Sequence, residues 1–138
     1  MTQRLFLFDL DGTLVDSAPD LAGAMNEMLA ARGLPERPLE ELREPSGHGG
    51  PALLKAAFGM ERTDPRFEAM RQEFLERYAA RATRSSTLYP NVVQMLDRLT
   101  AAGVKLGVVT NKPQGLAEIV CDHLGLTPRM TVVVGLGP

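Results

Sequence analysis

The sequence predicts an α/β fold built on a parallel sheet, and three observations support this class. Short apolar runs without helical spacing occur at residues 5–8, 104–109 and 130–134, and each is typical of a strand. Segments with helical apolar spacing precede the second run and separate it from the third. The stretch from residue 17 to residue 86 contains only helix and loop signals. Uninterrupted apolar strands suit a parallel sheet covered on both faces, in which ligands gather at the carboxyl ends of the strands.

The first run, Leu5–Phe8, is predicted to be a fully buried strand that ends in an acidic turn at Asp9, Asp11 and Gly12. Residues two apart in an extended segment point the same way, so the two carboxylates can approach each other. Adjacent carboxylates repel unless a cation neutralises them, and Mg²⁺ is a hard divalent ion that also binds substrate phosphate. Gly12 allows a sharp turn close to a ligand, and the Thr13 hydroxyl can orient a carboxylate.

The pentapeptide Asp-Leu-Asp-Gly-Thr after an apolar strand resembles the first motif of the haloacid dehalogenase superfamily, most of whose members are Mg²⁺-dependent phosphatases. The resemblance implies that Asp9 attacks phosphorus and carries an aspartyl-phosphate, while Asp11 protonates the leaving group and then activates water. It also implies that Asp9 and the Asp11 carbonyl hold the metal. The alternatives are a turn that merely ends a strand and part of a calcium loop. A calcium loop follows a helix and has glycine at its sixth position, whereas Gly12 is fourth from Asp9.

Helical signals follow Val15 and continue through the long insert. Asp16 or Ser17 can cap the first helix, Pro19 suits its first turn, and Gly33 ends it. The other predicted helices are a short turn at 39–42, a helix at 51–58 that ends at Gly59, and a longer helix that begins at Asp64 and Pro65 and carries an apolar stripe from Phe67 to Tyr78.

An all-helical insert directly after the first strand resembles the small cap domain of one branch of the superfamily, which closes over the active site and selects substrate. Helices that simply cover one face of the sheet are the alternative, but the insert is several times longer than one crossover needs. The resemblance therefore implies a Rossmann-like catalytic core formed by residues 1–16 and 87–138, with residues 17–86 as a helical cap.

Within the insert, the glycine-rich segment Ser46–Pro51 precedes a helix, and the backbone amides of such a turn can bind an anion. The run Gly-His-Gly-Gly-Pro-Ala-Leu-Leu-Lys-Ala-Ala resembles the cap loop of the phosphoglycolate phosphatases in this superfamily. His48 and Lys55 are candidates for substrate contact, and a solvated loop is the equally weighted alternative.

After a polar joint at Ser85–Thr87, Asn91 is predicted to cap a helix that Gly103 ends. The second strand then stops at Thr110 and Asn111, which resembles the second superfamily motif. The resemblance implies that the Thr110 hydroxyl and the following backbone amide hold phosphate, although an ordinary strand-to-helix cap would also use threonine or asparagine. The residues predicted to face inward are Val92, Met95, Leu96 and Leu99 on the first of these helices, and Leu116, Ile119, Val120 and Cys121 on a helix predicted at 114–124.

The resemblance ends near Val134. The superfamily continues with Gly-Gly-Asp, a lysine, and an acidic pair after a fourth strand, none of which this sequence contains. Lys112 is not a positional match for that lysine, because this subfamily carries a lysine beside the second motif as well. We expect the sequence to be the N-terminal part of a longer phosphatase, with three strands of the sheet present and edge strands missing. The unpaired apolar edge of the first strand then predicts self-association or marginal stability.

The composition excludes several classes of protein. The 138 residues are 44% hydrophobic and carry a net charge of −2, which is typical of a globular domain and gives no electrostatic footprint for nucleic acid or membrane. The single cysteine excludes an internal disulfide, and no apolar segment approaches the length of a membrane span. We expect a soluble cytoplasmic protein.

Together these features predict a Mg²⁺-dependent phosphomonoester hydrolase of phosphoglycolate phosphatase type, with 2-phosphoglycolate as the leading substrate. The predicted site residues are Asp9, Asp11, Gly12, Thr110 and Asn111, together with His48 from the insert. The main alternative is an inactive fragment that folds and at most binds Mg²⁺ or phosphate. A phosphosugar mutase or a phosphonate hydrolase on the same scaffold is a further alternative.

Overall fold

The computed structural model describes residues 3–137, which form two compact units. The helical unit is Ser17–Ser86, and the sheet unit contains the described residues up to Asp16 and from Thr87 onward. The elements in chain order are β1 (Arg4–Phe8), β2 (Val15–Asp16), α1 (Ala18–Ala31), α2 (Leu39–Ser46), α3 (Gly50–Phe58), α4 (Phe67–Ala79), β3 (Thr87–Leu88), α5 (Val92–Ala101), β4 (Val104–Pro113), α6 (Gln114–His123), a 3-10 turn (Thr127–Arg129) and β5 (Val132–Leu136).

The main sheet has three parallel strands in the order β1-β4-β5. Arg4 lies opposite Val104 where β1 pairs with β4, and Gly107 lies opposite Val132 where β4 pairs with β5. The predicted α/β class with a parallel sheet is confirmed. A second, two-stranded antiparallel sheet joins β2 to β3, with Asp16 opposite Thr87, and no pattern in the sequence predicts it.

The burial predicted for the first strand is wrong. β1 is a strand, but within the described residues it is an outermost strand of the sheet. Leu5 and Leu7 are 50% and 54% exposed. The pairing register and the alternation of side chains place five exposed apolar residues on one face, which we call the apolar sheet face. These residues are Leu5, Leu7, Val109, Val132 and Val134.

The apolar core of the sheet unit lies on the opposite face of the sheet. Leu106 and Val108 point to that side and are buried, and α5 and α6 pack against β4. Leu96 from α5 and Val120 from α6 are fully buried. Two of the side chains predicted to face inward do not, because Met95 is 37% and Ile119 is 50% exposed. These positions lie on the solvent-facing sides of their helices.

The prediction that the Asn91 side chain caps α5 is also wrong. Asn91 does lie at the start of the helix, but its side chain makes no capping hydrogen bond. Its backbone is in the left-handed conformation, with φ at 69°. Asparagine is one of the few residues besides glycine that adopts this conformation readily, so Asn91 serves here as a turn residue.

The helical unit buries its own apolar side chains. Met25, Met28 and Leu54 are fully buried between its helices. The rings of Phe74 and Tyr78 on α4 are stacked with their centroids 6.2 Å apart, and both residues are 1% exposed. None of the described helices is long and apolar enough to cross a membrane.

A buried carboxylate, Asp20, ties the two ends of the helical unit together. Its Oδ2 accepts hydrogen bonds of 2.8 Å from the Ser85 backbone N–H and from the Ser86 hydroxyl. Its Oδ1 lies 3.4 Å from Nε of Arg81, whose Nη1 donates to Glu27 at 3.1 Å. Asp20 is fully buried, so the start of α1 is fixed to the segment that follows α4 by paired charges and hydrogen bonds.

Candidate active site

The segment after β1 is a tight loop that fixes the direction of its carboxylates. The Leu10 carbonyl accepts hydrogen bonds from the N–H groups of Thr13, Leu14 and Val15. Gly12 has φ at 81°, and its N–H donates to the Val15 carbonyl at 2.9 Å. Because this φ lies in the left-handed region, glycine is the residue that allows the turn.

Asp9 and Asp11 differ in their surroundings within this loop. Asp9 is exposed, and its Oδ1 accepts a 2.7 Å hydrogen bond from the Leu10 N–H. Asp11 is partly buried, with its side chain 15% exposed. The two acids are therefore not equivalent, because one carboxylate faces solvent and the other is partly enclosed by protein.

The second group of predicted residues lies in the last part of β4, which continues to Pro113 and does not stop at Thr110 as predicted. Phe8 lies opposite Val108 in the parallel pair, so the residues that follow Phe8 and Val108 lie at the same end of the sheet. Thr110 is 6% exposed, and its Oγ1 accepts a hydrogen bond of 3.2 Å from the Lys112 backbone N–H. Asn111 is exposed. The predicted site residues thus lie together at the carboxyl end of β1, which we call the sheet edge. They are Asp9, Asp11, Gly12, Thr110 and Asn111.

Lys112 connects the two segments directly. Its Nζ lies 3.1 Å from Oδ1 of Asp11, and its side chain is only 3% exposed. Lys112 is not among the predicted site residues, because it does not match the position of the superfamily's lysine. Its spacing from Thr110 was the available signal, since residues two apart in an extended segment share a side. What that spacing could not show is that Asp11 would lie within reach.

The end of β5 packs closely against the same segment of β4. The Gln114 side chain donates to the Val133 carbonyl at 2.8 Å and accepts a hydrogen bond from the Gly135 N–H. A Cβ at Gly135 would lie 2.5 Å from the Lys112 carbonyl oxygen, which is closer than any side chain tolerates. Glycine is therefore required here for the backbone of β5 to approach Lys112.

Cys121 on α6 is a buried neutral thiol. Burial is the main cause that raises the pKa of Cys121 to about 11, and the residue is fully inaccessible to solvent. A thiol with this pKa is protonated at neutral pH and is a poor nucleophile. The carboxylates at the sheet edge therefore remain the candidate nucleophiles of this unit.

The donors at the sheet edge suit a magnesium ion. Mg²⁺ is commonly bound through one or two carboxylates, several waters and the oxygens of a substrate phosphate. The exposed Asp9 carboxylate and the Asp11 main chain supply oxygen ligands of this kind. Across residues 3–137, no three His, Cys, Asp or Glu side chains gather in a cluster that could hold a metal ion. Asp9 and Asp11 thus offer a two-residue set of oxygen ligands.

The residues predicted from the insert lie in the helical unit, where each contacts a glutamate at the surface. Nε2 of His48 lies 2.9 Å from Oε1 of Glu44, and the His48 side chain is 68% exposed. Nζ of Lys55 lies 3.2 Å from Oε1 of Glu61. Both pairs are accessible to solvent, so they contribute little to stability.

The sequence also matches a known protein family. The profile of the haloacid dehalogenase-like hydrolases matches residues 6–137, and the chain belongs to this family. Its resemblance to phosphoglycolate phosphatases is likewise confirmed by its relatives.

Two curated relatives and one solved structure show how close the similarity is. The chain is 45% identical over 132 residues to a phosphoglycolate phosphatase of Xanthomonas campestris. The matched stretch covers 96% of this chain and 59% of the relative. It is 40% identical over 134 residues to an N-acetylmuramic acid 6-phosphate phosphatase of Pseudomonas aeruginosa, with 97% and 59% covered. The crystal structure of a predicted phosphoglycolate phosphatase from Haemophilus somnus superposes with a TM-score of 0.80 at 33% identity, covering 96% of this chain and 62% of that one.

The chain thus spans 59% of the length of both curated relatives.

Proposed function

We propose that this chain is a phosphomonoester hydrolase that uses Asp9 as nucleophile and Asp11 as general acid and base. The observation that carries the proposal is the arrangement at the sheet edge. An exposed carboxylate follows β1, a second carboxylate two residues later is paired with Lys112, and Thr110 lies in the last part of the adjacent strand β4. Family membership and the names of the relatives support the same class of reaction.

The proposed reaction has two steps. A carboxylate oxygen of Asp9 attacks phosphorus, and the bond from phosphorus to the ester oxygen breaks. The electron pair stays on the leaving oxygen, which takes a proton from Asp11, and Asp9 is left as an acyl phosphate. Asp11 then accepts a proton from water as the water oxygen attacks phosphorus. This step breaks the bond to Asp9 and releases inorganic phosphate.

Phosphate binding is assigned to the ends of both strands. Gly12 lets the loop backbone come close to phosphate. The Thr110 hydroxyl and the Asn111 amide are donors of the kind that hold phosphoryl oxygens. Magnesium, held through Asp9 and the Asp11 carbonyl, would neutralise negative charge on the phosphoryl group. His48 is proposed to contact substrate, and the helical unit is proposed to act as the cap that selects it.

Two substrates follow from the relatives. 2-Phosphoglycolate is the first candidate, because the relative from Xanthomonas campestris is named for it. N-Acetylmuramic acid 6-phosphate is the second, because the relative from Pseudomonas aeruginosa is 40% identical to this chain. Both compounds are alkyl phosphates that also carry a carboxylate, so the two names agree on the chemistry of the substrate.

The test is release of inorganic phosphate from both substrates, with and without Mg²⁺, by the unsubstituted chain and by Asp9→Asn. We expect metal-dependent release that Asp9→Asn reduces by at least about 1000-fold, as loss of a nucleophile requires. The Asp122→Asn variant is a matched control, because Asp122 is an exposed acid on α6. The absence of phosphate release from a folded sample would reject the proposal and favour an inactive fragment.

A further inference from the structure

We propose that Lys112 is a positioning residue, which holds the Asp11 carboxyl group in the orientation from which its protonated form gives a proton to the leaving group. This inference rests on the proposed function and extends it to a residue for which the predicted mechanism had no role. It is carried by the contact of 3.1 Å between Nζ of Lys112 and Oδ1 of Asp11 at the edge of the sheet.

The burial of Lys112 is the first argument. Lysine is almost never fully buried unless it is paired, and the chain's other lysines, Lys55 and Lys105, are exposed. A buried ion pair contributes little net stability compared with well-packed apolar side chains, because both charges lose their hydration. Stability alone therefore does not account for an ammonium group enclosed beside Asp11.

The rigidity of the surroundings is the second argument. The Lys112 backbone N–H donates to Thr110, and its carbonyl is in close contact with Gly135. The main chain from which the ammonium group extends is thus fixed from two sides. A lysine anchored in this way can hold a carboxylate in a fixed orientation. An error of about 1 Å in the position of a reacting group can reduce a rate by about 100-fold.

The chemistry of the leaving group gives a test that a purely structural role would not pass. The alkoxide that departs from 2-phosphoglycolate needs a proton as it leaves, whereas p-nitrophenolate is a stable anion that leaves without one. Asp11 also activates water in the second step, which both substrates share, so the test compares release of the leaving group in a single turnover. If Lys112 acts by orienting Asp11, its loss must slow release of glycolate far more than release of p-nitrophenolate. If Lys112 only holds the fold together, both releases must slow equally.

The experiment compares Lys112→Met, Lys112→Arg and Lys105→Met in the full chain, with 2-phosphoglycolate and p-nitrophenyl phosphate as substrates. For Lys112→Met we expect a loss of about 100-fold in kcat and in single-turnover release of glycolate on 2-phosphoglycolate, with little change in KM. The rate at which a single turnover releases p-nitrophenolate from p-nitrophenyl phosphate should fall much less. Lys112→Arg should restore part of kcat, because it keeps a positively charged donor. Lys105→Met alters an exposed lysine on the same strand and should change neither reaction.

A double-mutant cycle makes the inference specific to Asp11. In an Asp11→Asn background, Lys112→Met should cause no further loss on 2-phosphoglycolate, because the group that it positions is already gone. Where methionine prevents folding, Lys112→Gln keeps a polar side chain of similar length and is expected to show the same selective loss.

Three outcomes would overturn the inference. These are an equal slowing of leaving-group release from both substrates in a single turnover, an effect confined to KM, and a full further loss in the Asp11→Asn background. Absence of turnover by the unsubstituted chain on either substrate would reject the proposed function and this inference together. Failure of the inference alone is therefore distinguishable, because the unsubstituted chain would still release phosphate.

Discussion

The helical unit and the sheet unit differ in how completely they bury their own apolar side chains. Among the described large hydrophobic residues that are exposed, Leu34 alone belongs to the helical unit. The sheet unit exposes the five residues of the apolar sheet face and further residues on α5 and α6. Burial of apolar surface is the main stabilising contribution to folding. The comparison therefore indicates that the helical unit supplies more of its own stability than the sheet unit does.

The two units also place their charges differently. In the helical unit, Glu27 on α1 pairs with Arg77 on α4, and Glu73 on α4 pairs with Arg32 just after α1. These pairs are partly exposed, and Asp20 is the only fully buried charged residue of that unit. In the sheet unit, the Lys112–Asp11 pair lies where the candidate active site is. One unit thus uses charge mainly to join helices at its surface, whereas the other encloses charge beside the residues proposed to react.

The largest expected effect comes from comparing the same Phe→Ala substitution in the two units, which tests the difference in apolar burial. Phe74→Ala in the helical unit should lower the free energy of unfolding by about 3–5 kcal/mol, because it leaves a cavity in a closed core. Phe6→Ala in β1 should lower it by only about 1 kcal/mol, because Phe6 is already 43% exposed. Urea unfolding followed by circular dichroism measures both values. Equal losses would contradict the comparison.

The second prediction concerns the buried carboxylate of the helical unit. Asp20→Ala should lower the free energy of unfolding by about 3 kcal/mol, because it leaves Arg81 without its buried partner and removes the acceptor of Ser85 and Ser86. Gly23→Ala should lower the free energy of unfolding by less, about 1 kcal/mol. Its Cβ would lie 2.3 Å from the Arg81 guanidinium, which can move because it ends a flexible side chain. A loss of less than about 0.5 kcal/mol for Asp20→Ala would show that the buried network is dispensable.

The third prediction concerns self-association through the unpaired side of β1 and the apolar sheet face. Analytical ultracentrifugation at high protein concentration should detect association of the unsubstituted chain. Leu7→Lys should weaken that association by at least about tenfold, which corresponds to about 1.4 kcal/mol. Leu34→Lys should leave it unchanged, because Leu34 is a similarly exposed leucine in the other unit. A monodisperse monomer at every concentration would contradict this prediction.

The smallest expected effect is the pH dependence of the helical unit. Hydrogen bonds from Arg32 are the main cause that lowers the pKa of Glu73 to about 2, and Arg77 contributes further. Because the pKa is lower in the folded state, the stabilisation is complete above the ordinary pKa near 4.5 and is lost as the pH falls towards 2. The side chains of Glu73 and Arg32 are about one third exposed, so the effect should stay below about 1 kcal/mol.

Glu73→Gln supplies the control for this pH dependence. Its free energy of unfolding, measured in urea from pH 6 to pH 2.5, should fall less steeply than that of the unsubstituted chain. Parallel curves for the two proteins would show that Glu73 does not contribute to acid sensitivity.

The strands and the acidic turn could be predicted from the sequence because their signals are local. The apolar run before Asp9 identified β1, but it could not show whether another layer covers the strand, and so the predicted burial was wrong. The short strands β2 and β3 contain two residues each, which is too few to show a period. Their pairing depends on a contact across the whole insert, which no local window contains.

The charged contacts were harder to predict because each partner looks ordinary by itself. Asp20 resembles an acid in the first turn of a helix, and its burial depends on Ser85 and Ser86 at the other end of the unit. Lys112 lies beside a recognised motif, and its contact with Asp11 exists only because β1 and β4 are neighbours. The sequence thus predicted two segments that the sheet places side by side, but it did not predict the contact between Lys112 and Asp11.

The pairing of β2 with β3 has a consequence for how this architecture can be altered. The chain leaves the sheet unit at Asp16 and returns at Thr87, and these two residues lie opposite each other. Topologically, the whole helical unit is the loop of a hairpin. The entropic cost of closing a loop rises only slowly with its length, so an insert of different size should still allow β2 and β3 to pair. The β2–β3 pair is therefore a position at which the helical unit can be replaced by another helical insert.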